Sequence, residues 1–193
     1  MELLEFLENN SLAVWLSETP SVFAYPTLLV FHTFGMAFLV GTSTAIALRL
    51  LGFASSVPLA PLRSFFPVIW LGFSMSAVSG ALLLMIDATT FLTMPAFYIK
   101  ILAIVAAVTI VRLLRTRVFS DRASVDTGPV PGRYRVLAGA VLISWTVAIT
   151  AGRVTAYLPL TGWKTAASVL ILTAVLLVGG YIAVRLWGAK ASA

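Results

Sequence analysis

"YPTLLVFHTFGMAFLVGTSTAIALRLL", residues Tyr25–Leu51, decides the fold class of this chain. It carries no charged side chain until Arg49, and its one imidazole, His32, stands among Leu, Val and Phe residues. A helix rises 1.5 Å per residue, so about 20 such residues cross the hydrocarbon of a bilayer. The run is long enough to do so. Four further stretches share its character, at residues 64–87, 95–118, 134–157 and 161–187. All five read as helices, because lipid offers the backbone no other hydrogen-bond partner.

Composition points the same way. Of 193 residues, 60% are hydrophobic and only 10% are charged, with a mean hydropathy of +1.02. Such a chain cannot clothe itself in a normal soluble surface. The net charge of +6 does not imply nucleic acid as a partner, because the basic residues fall between apolar runs instead of forming a stripe. Cysteine is absent, which excludes disulfides, thiolate metal sites and a cysteine nucleophile. No paired carboxylates, phosphate loop or metal-spaced cluster supports soluble-enzyme chemistry. Secondary transport is also poorly supported, since five spans do not divide into two equal inverted repeats.

Residues 1–20, "MELLEFLENNSLAVWLSETP", set Glu2, Glu5 and Glu8 at helical spacing against Leu3, Leu4, Phe6 and Leu7. The segment lacks the basic start and long apolar core of a signal peptide, so it is expected to stay as an interfacial amphipathic helix. Residues 21–193 are expected to form a five-helix transmembrane domain. The expected architecture is therefore all-α: a polytopic bundle of five spans preceded by an interfacial helix.

Lysine and arginine set the expected orientation. Arg49 and Arg63 flank one loop; Arg112, Arg115, Arg117, Arg122, Arg133 and Arg135 crowd another; Arg185 and Lys190 lie near the carboxyl end. These regions are expected in the cytoplasm, which puts the amino terminus outside and the carboxyl terminus inside. The few intramembrane polar residues then share a depth. His32 lies about 10 Å inside Tyr25, Lys100 about 8 Å inside Pro95, and Arg153 about 9 Å before Pro159, while Asp87 ends its span. Ionisable groups in a bilayer are costly and usually face a bundle interior, so an outer-leaflet polar site is expected. Snorkelling of Lys100 and Arg153 to the headgroups, and pairing of Asp87 with either, is the competing account.

Two patterns concern packing. Gly72, Ser76 and Gly80 recur every fourth residue, letting a neighbouring helix approach closely. Trp145, Ile149, Arg153 and Tyr157 are spaced to share one helix face, suited to something planar or cationic.

Four pieces, "TPSVFAYPTLLVFHTFGMAFLVGTSTAIALRLLG", "FFPVIWLGFSMSAVSGALLLM", "MPAFYIKILAI" and "SWTVAITAGRVTAYL", follow one another between residues 19 and 158. In these pieces the chain resembles a family of uncharacterised bacterial polytopic membrane proteins with a domain of unknown function. The resemblance rests on His32 with Gly35, on Leu48 to Gly52, on Pro95 to Lys100 and on Ala151 to Arg153. More distantly, the chain is similar to copper-resistance D proteins and b-type cytochrome-like helical bundles. The resemblance implies a bacterial inner-membrane location and a helical bundle, but no defined activity.

Three functional readings remain open from the residues. In the first, haem b is the cofactor and His32 its metal ligand. Met36 falls on the same side of the helix as His32, so a six-coordinate site needs Met85 or Met94 as its second axial ligand, while a five-coordinate haem or one shared between protomers also stays open; Arg153 and Lys100 would hold the propionates. In the second, His32, Arg153 and Tyr157 hydrogen-bond a quinone or a lipid headgroup. Both make the chain the membrane subunit of a redox or lipid-associated assembly. In the third it is a noncatalytic anchor that binds other membrane subunits or a second copy of itself.

Overall fold

The computed structural model describes residues 2–119, 130–157 and 163–191, and every regular element among them is helical. In chain order these are α1 (Glu2–Glu8), α2 (Ser11–Glu18), α3 (Tyr25–Met36), a π turn (Ala37–Gly41), α4 (Thr42–Leu51), a 3-10 turn (Ala60–Phe65), α5 (Phe66–Ile86), α6 (Ala88–Thr93), α7 (Pro95–Val118), α8 (Gly132–Tyr157) and α9 (Trp163–Ala191). Four segments are long and apolar enough to cross a membrane: Tyr25–Leu51, Ala60–Ile86, Pro95–Val118 and Gly132–Val154. The apolar stretch described within α9 is Ala167–Gly180. The loop at 120–129 and the turn at 158–162, both read from the sequence as connections, lie outside the described residues.

Prolines open α3, α5 and α7, where the missing N–H is one that the first turn leaves without an intrahelical partner anyway. Gly52 ends α4 with φ +100°, a left-handed conformation that L side chains resist. Its N–H donates to the Arg49 carbonyl at 3.1 Å and that of Phe53 to the Leu48 carbonyl at 3.0 Å, which closes the helix and turns the chain back.

Two expectations are modified. Residues 1–20 make two short helices instead of one, because Asn10 interrupts them. Its Oδ1 accepts the Leu12 and Ala13 N–H groups, both at 2.9 Å, while its Nδ2 donates to the Leu7 carbonyl. One side chain thus ends α1 and starts α2. The chain after Asp87 is not plain loop either. It forms α6, and Glu8 of α1 reaches across to accept the Thr89 N–H at 2.6 Å. A free backbone donor at the start of α6 is satisfied by a carboxylate far away in sequence.

Packing divides the bundle along its length. α7 lies against α8, and α3 against α5. The first span changes partner at the π turn: its α3 half packs on α5, and its α4 half packs on α8. Ser43, just past that turn, donates to the Leu39 carbonyl at 2.6 Å and accepts the Trp145 indole N–H at 2.9 Å, tying α4 to α8. The main core gathers towards the arginine-rich end, around Leu50, Phe66, Ile69, Leu114, Val141 and Trp145. A small second cluster, Ala151, Val154 and Val169, joins α8 to α9. At the arginine-poor end neither cluster bridges the α3/α5 pair to the α7/α8 pair among the described residues. Outward faces are strongly apolar, with Phe31, Leu71, Val78, Leu102 and Leu170 each more than half exposed.

Candidate functional site

One polar position lies at the crossing of α3 and α5. A Cβ on Gly35 would stand 2.6 Å from Ser76 Oγ and 2.9 Å from the Gly72 carbonyl oxygen, and one on Gly72 would stand 2.7 Å from both the Gly35 carbonyl oxygen and the Leu39 nitrogen. The small-residue repeat read from the sequence is therefore a backbone-to-backbone contact. One turn from Gly35, the His32 ring lies over Gly80, where a Cβ would meet its Cε1 at 3.2 Å. Glycine at position 80 makes the room that the imidazole fills.

The hydrogen bonds decide which ring nitrogen carries the proton. His32 Nδ1 is 3.0 Å from Ser79 Oγ, and Ser79 Oγ is 2.5 Å from the Met75 carbonyl oxygen. Two oxygens approach that closely only with a hydrogen between them, so the single Ser79 proton belongs to the Met75 carbonyl. The hydroxyl is then an acceptor towards the ring, and Nδ1–H is the donor. The Ser76 backbone is a further polar contact of the ring on α5.

A second polar position lies between α7 and α8. The half-buried Lys100 side chain lies along Gly152, its Cδ and Cε each 3.6 Å and its Nζ 3.8 Å from where a Cβ on that glycine would sit. Among the described residues the ammonium has neither a carboxylate nor a hydrogen-bond acceptor. Asp87 is not its partner: the carboxylate sits at the junction of α5 and α6, forming no cap hydrogen bond there and no ion pair among the described residues.

Of the residues singled out from the sequence, His32 packs on α5 at Ser79 and Gly80, and Lys100 packs on α8 at Gly152. Arg153 is exposed on the outside of α8, next to the glycine that Lys100 covers. The expected common face of Trp145, Ile149 and Arg153 does not form: Trp145 is 2% exposed and Ile149 42%. Each step of four residues overshoots a full turn by about 40°, so by Arg153 the stripe has wound from the core to the exterior. The Tyr157 side chain lies outside the described residues. Met85 is half-buried on α5, about 120° around that helix from Ser79 and so off the His32 face. No group of three or more His, Asp or Glu side chains able to hold a metal ion occurs among the described residues.

Sequence reasoning missed Ser79 and Gly152. Ser79 was hidden because a serine among small residues reads as packing. Gly152 was hidden because only the tertiary fold shows that a lysine covers it. Comparison with protein-family models, with curated proteins and with solved structures finds no match.

Proposed function

We propose that this chain is an integral protein of the bacterial inner membrane, with five spans, the amino terminus outside and the carboxyl terminus in the cytoplasm. On this reading the arginine-poor end lies in the outer leaflet, its polar residues bind the polar head of a membrane amphiphile, and the protein is the membrane subunit of a redox or lipid-associated assembly. One observation carries the proposal. Lys100, half-buried over Gly152, and His32, hydrogen-bonded to Ser79 above Gly80, are ionisable groups on two helices of an otherwise apolar bundle, with no acid hydrogen-bonded or ion-paired to either among the described residues. A lysine at a span centre costs about 2.5–3.5 kcal/mol, less near the interface, and a polar or anionic ligand offsets that cost. Haem fits the residues less well than a quinone or lipid does. His32 is one candidate ligand, but its Nδ1 is engaged with Ser79 Oγ, and Met85 lies about 120° around α5 from Ser79.

Purification in a mild detergent, followed by an absorption spectrum and mass spectrometry of an organic extract, tests this reading. The extract is expected to contain an amphiphile in near-stoichiometric amount, and His32→Ala or Lys100→Met is expected to lower it about tenfold with yield unchanged. Equal retention by both variants would overturn the site and leave the noncatalytic anchor. For the topology, a reporter fused after Thr90 is expected outside and one at the carboxyl terminus in the cytoplasm. A carboxyl-terminal signal outside would remove the fifth span or reverse the orientation.

A further inference from the structure

At the arginine-rich end of the bundle, seven arginines of the described residues stand on the last turn of α4, the 3-10 turn, the last two turns of α7 and the first turn of α8. Every carboxylate among the described residues lies elsewhere, on α1, on α2 or at Asp87 beyond the far end of α5. The loop at 120–129, outside the described residues, adds Arg122 with Asp121 and Asp126, so the arginines keep a large excess of charge even with both aspartates counted. We infer that this end is a docking surface for anionic phospholipid, anchored where Arg49 and Arg135 meet the close of α4.

The contacts that hold these arginines are with neutral groups. The Arg135 guanidinium donates to the Leu51 carbonyl at 3.3 Å, and a Cβ on Gly52 would stand 3.1 Å from it. Arg49, in the same last turn of α4, donates through Nε to the Val57 carbonyl in the loop that leaves the helix. The first turn of α8 carries the network on to α7. Tyr134 donates its hydroxyl to the Arg117 carbonyl at 3.3 Å, and Arg133 donates to the Tyr134 oxygen at 3.1 Å with its guanidinium 4.8 Å from the ring centre. Arg115 stands 5.8 Å from the centre of the Phe66 ring. Carbonyls and rings orient a guanidinium but carry no formal charge, so these contacts fix positive charge in place without neutralising it. A guanidinium stays charged at any accessible pH, and its planar fork matches phosphate oxygens.

Apolar surface beside the arginines makes the occupant a lipid instead of a soluble polyanion. The loop that Arg49 holds exposes Phe53 and Val57, and Phe65 is exposed two residues after Arg63. A phosphodiester head with acyl chains beneath it meets both kinds of surface, at the depth where membrane spans end. A nucleic acid or an acidic peptide would meet only the charge.

Delipidated full-length protein would be titrated in detergent, by native mass spectrometry, with phosphatidylglycerol and phosphatidylcholine, and with inorganic phosphate and a glutamate-rich peptide as competitors. Phosphatidylglycerol is expected to bind about tenfold more tightly than phosphatidylcholine, by a margin that shrinks as salt is raised. Arg49→Gln and Arg135→Gln are each expected to weaken phosphatidylglycerol about fivefold and to leave phosphatidylcholine unchanged, the scale of one basic residue at an anionic surface. Arg135→Lys, which keeps the charge, is expected to preserve the preference should the glutamine variant fold poorly. Lys164→Gln, which removes one charge at the other end, is expected to change neither lipid. Equal binding of the two lipids to the unmodified protein overturns the inference, as does full phosphatidylglycerol affinity in both glutamine variants. Displacement by inorganic phosphate at the lipid's own concentration would make this a free-anion site, and displacement by the peptide a protein surface; either overturns it. The amphiphile reading of the arginine-poor end fails separately: a preference lost in His32→Ala or Lys100→Met but kept in the arginine variants would move the lipid to that end and overturn the inference here.

Discussion

Gly72→Ala is expected to cost most of the folded protein, and Gly35→Ala to do the same. The added Cβ at position 72 would sit 2.7 Å from two backbone atoms of the facing helix and 2.9 Å from Phe38 Cβ. Backbone atoms cannot rotate away, so α3 and α5 must part by about 0.5–1 Å to restore van der Waals contact. A gap of that size forfeits roughly a quarter to a half of each dispersion contact along the crossing. In lipid this loss has little to offset it, because helices there associate through packing and hydrogen bonds without a hydrophobic driving force between them. The same separation pulls His32 away from Ser79 and Gly80. Gly41→Ala and Gly139→Ala are internal controls, since a Cβ at either position meets nothing within 4 Å. Thermal shift and monodispersity of the four variants in detergent are the measurement. Unchanged melting of the Gly72 variant would mean that the two helices do not cross so closely.

Trp145→Ala is expected to be the most destabilising single truncation in the core, by about 3–5 kcal/mol. The indole is 2% exposed, among the largest of the fully buried side chains, and it donates to Ser43 at the point where the first span transfers its packing to α8. Removing it opens a cavity between α4 and α8 and leaves the Ser43 hydroxyl without its donor. Trp145→Phe separates the two contributions, keeping most of the volume and losing the hydrogen bond, which within a membrane bundle is worth about 0.6–1.7 kcal/mol. Unfolding in mixed micelles at increasing denaturing detergent reads both variants. A Trp145→Ala cost no larger than that of Trp145→Phe would mean that the site collapses around the smaller side chain and that the α4–α8 contact is not tight.

The presence of long apolar helices was legible from residue type alone. Tyr25–Leu51 and Pro95–Val118 have the bounds read from the sequence, because uninterrupted apolar length is a local property and the prolines and Gly52 punctuate it locally. The glycine and serine repeat of α5 was legible for a similar reason, its period being the helix period. α6 and the break at Asn10 were less so. Short helices bury no continuous face, and what holds them, the Glu8 contact to Thr89, joins residues distant in the chain.

The site lies at the other extreme. Four polar residues could be assigned one depth by counting along helices, but depth says nothing about rotation. Rotation sends Arg153 outward while Lys100 lies over Gly152, and it is set by which faces pack: Trp145 against Ser43, Ala151 and Val154 towards α9, and Gly152 under the lysine. The tautomer of His32 is likewise invisible in one dimension, since it depends on Ser79 and, through that hydroxyl, on the Met75 carbonyl. Residue type and period by themselves determined that this chain makes apolar helices and which residues are too polar for them. Only the tertiary structure decided what each of those polar groups packs against, because helix rotation is a collective outcome of packing on every face at once.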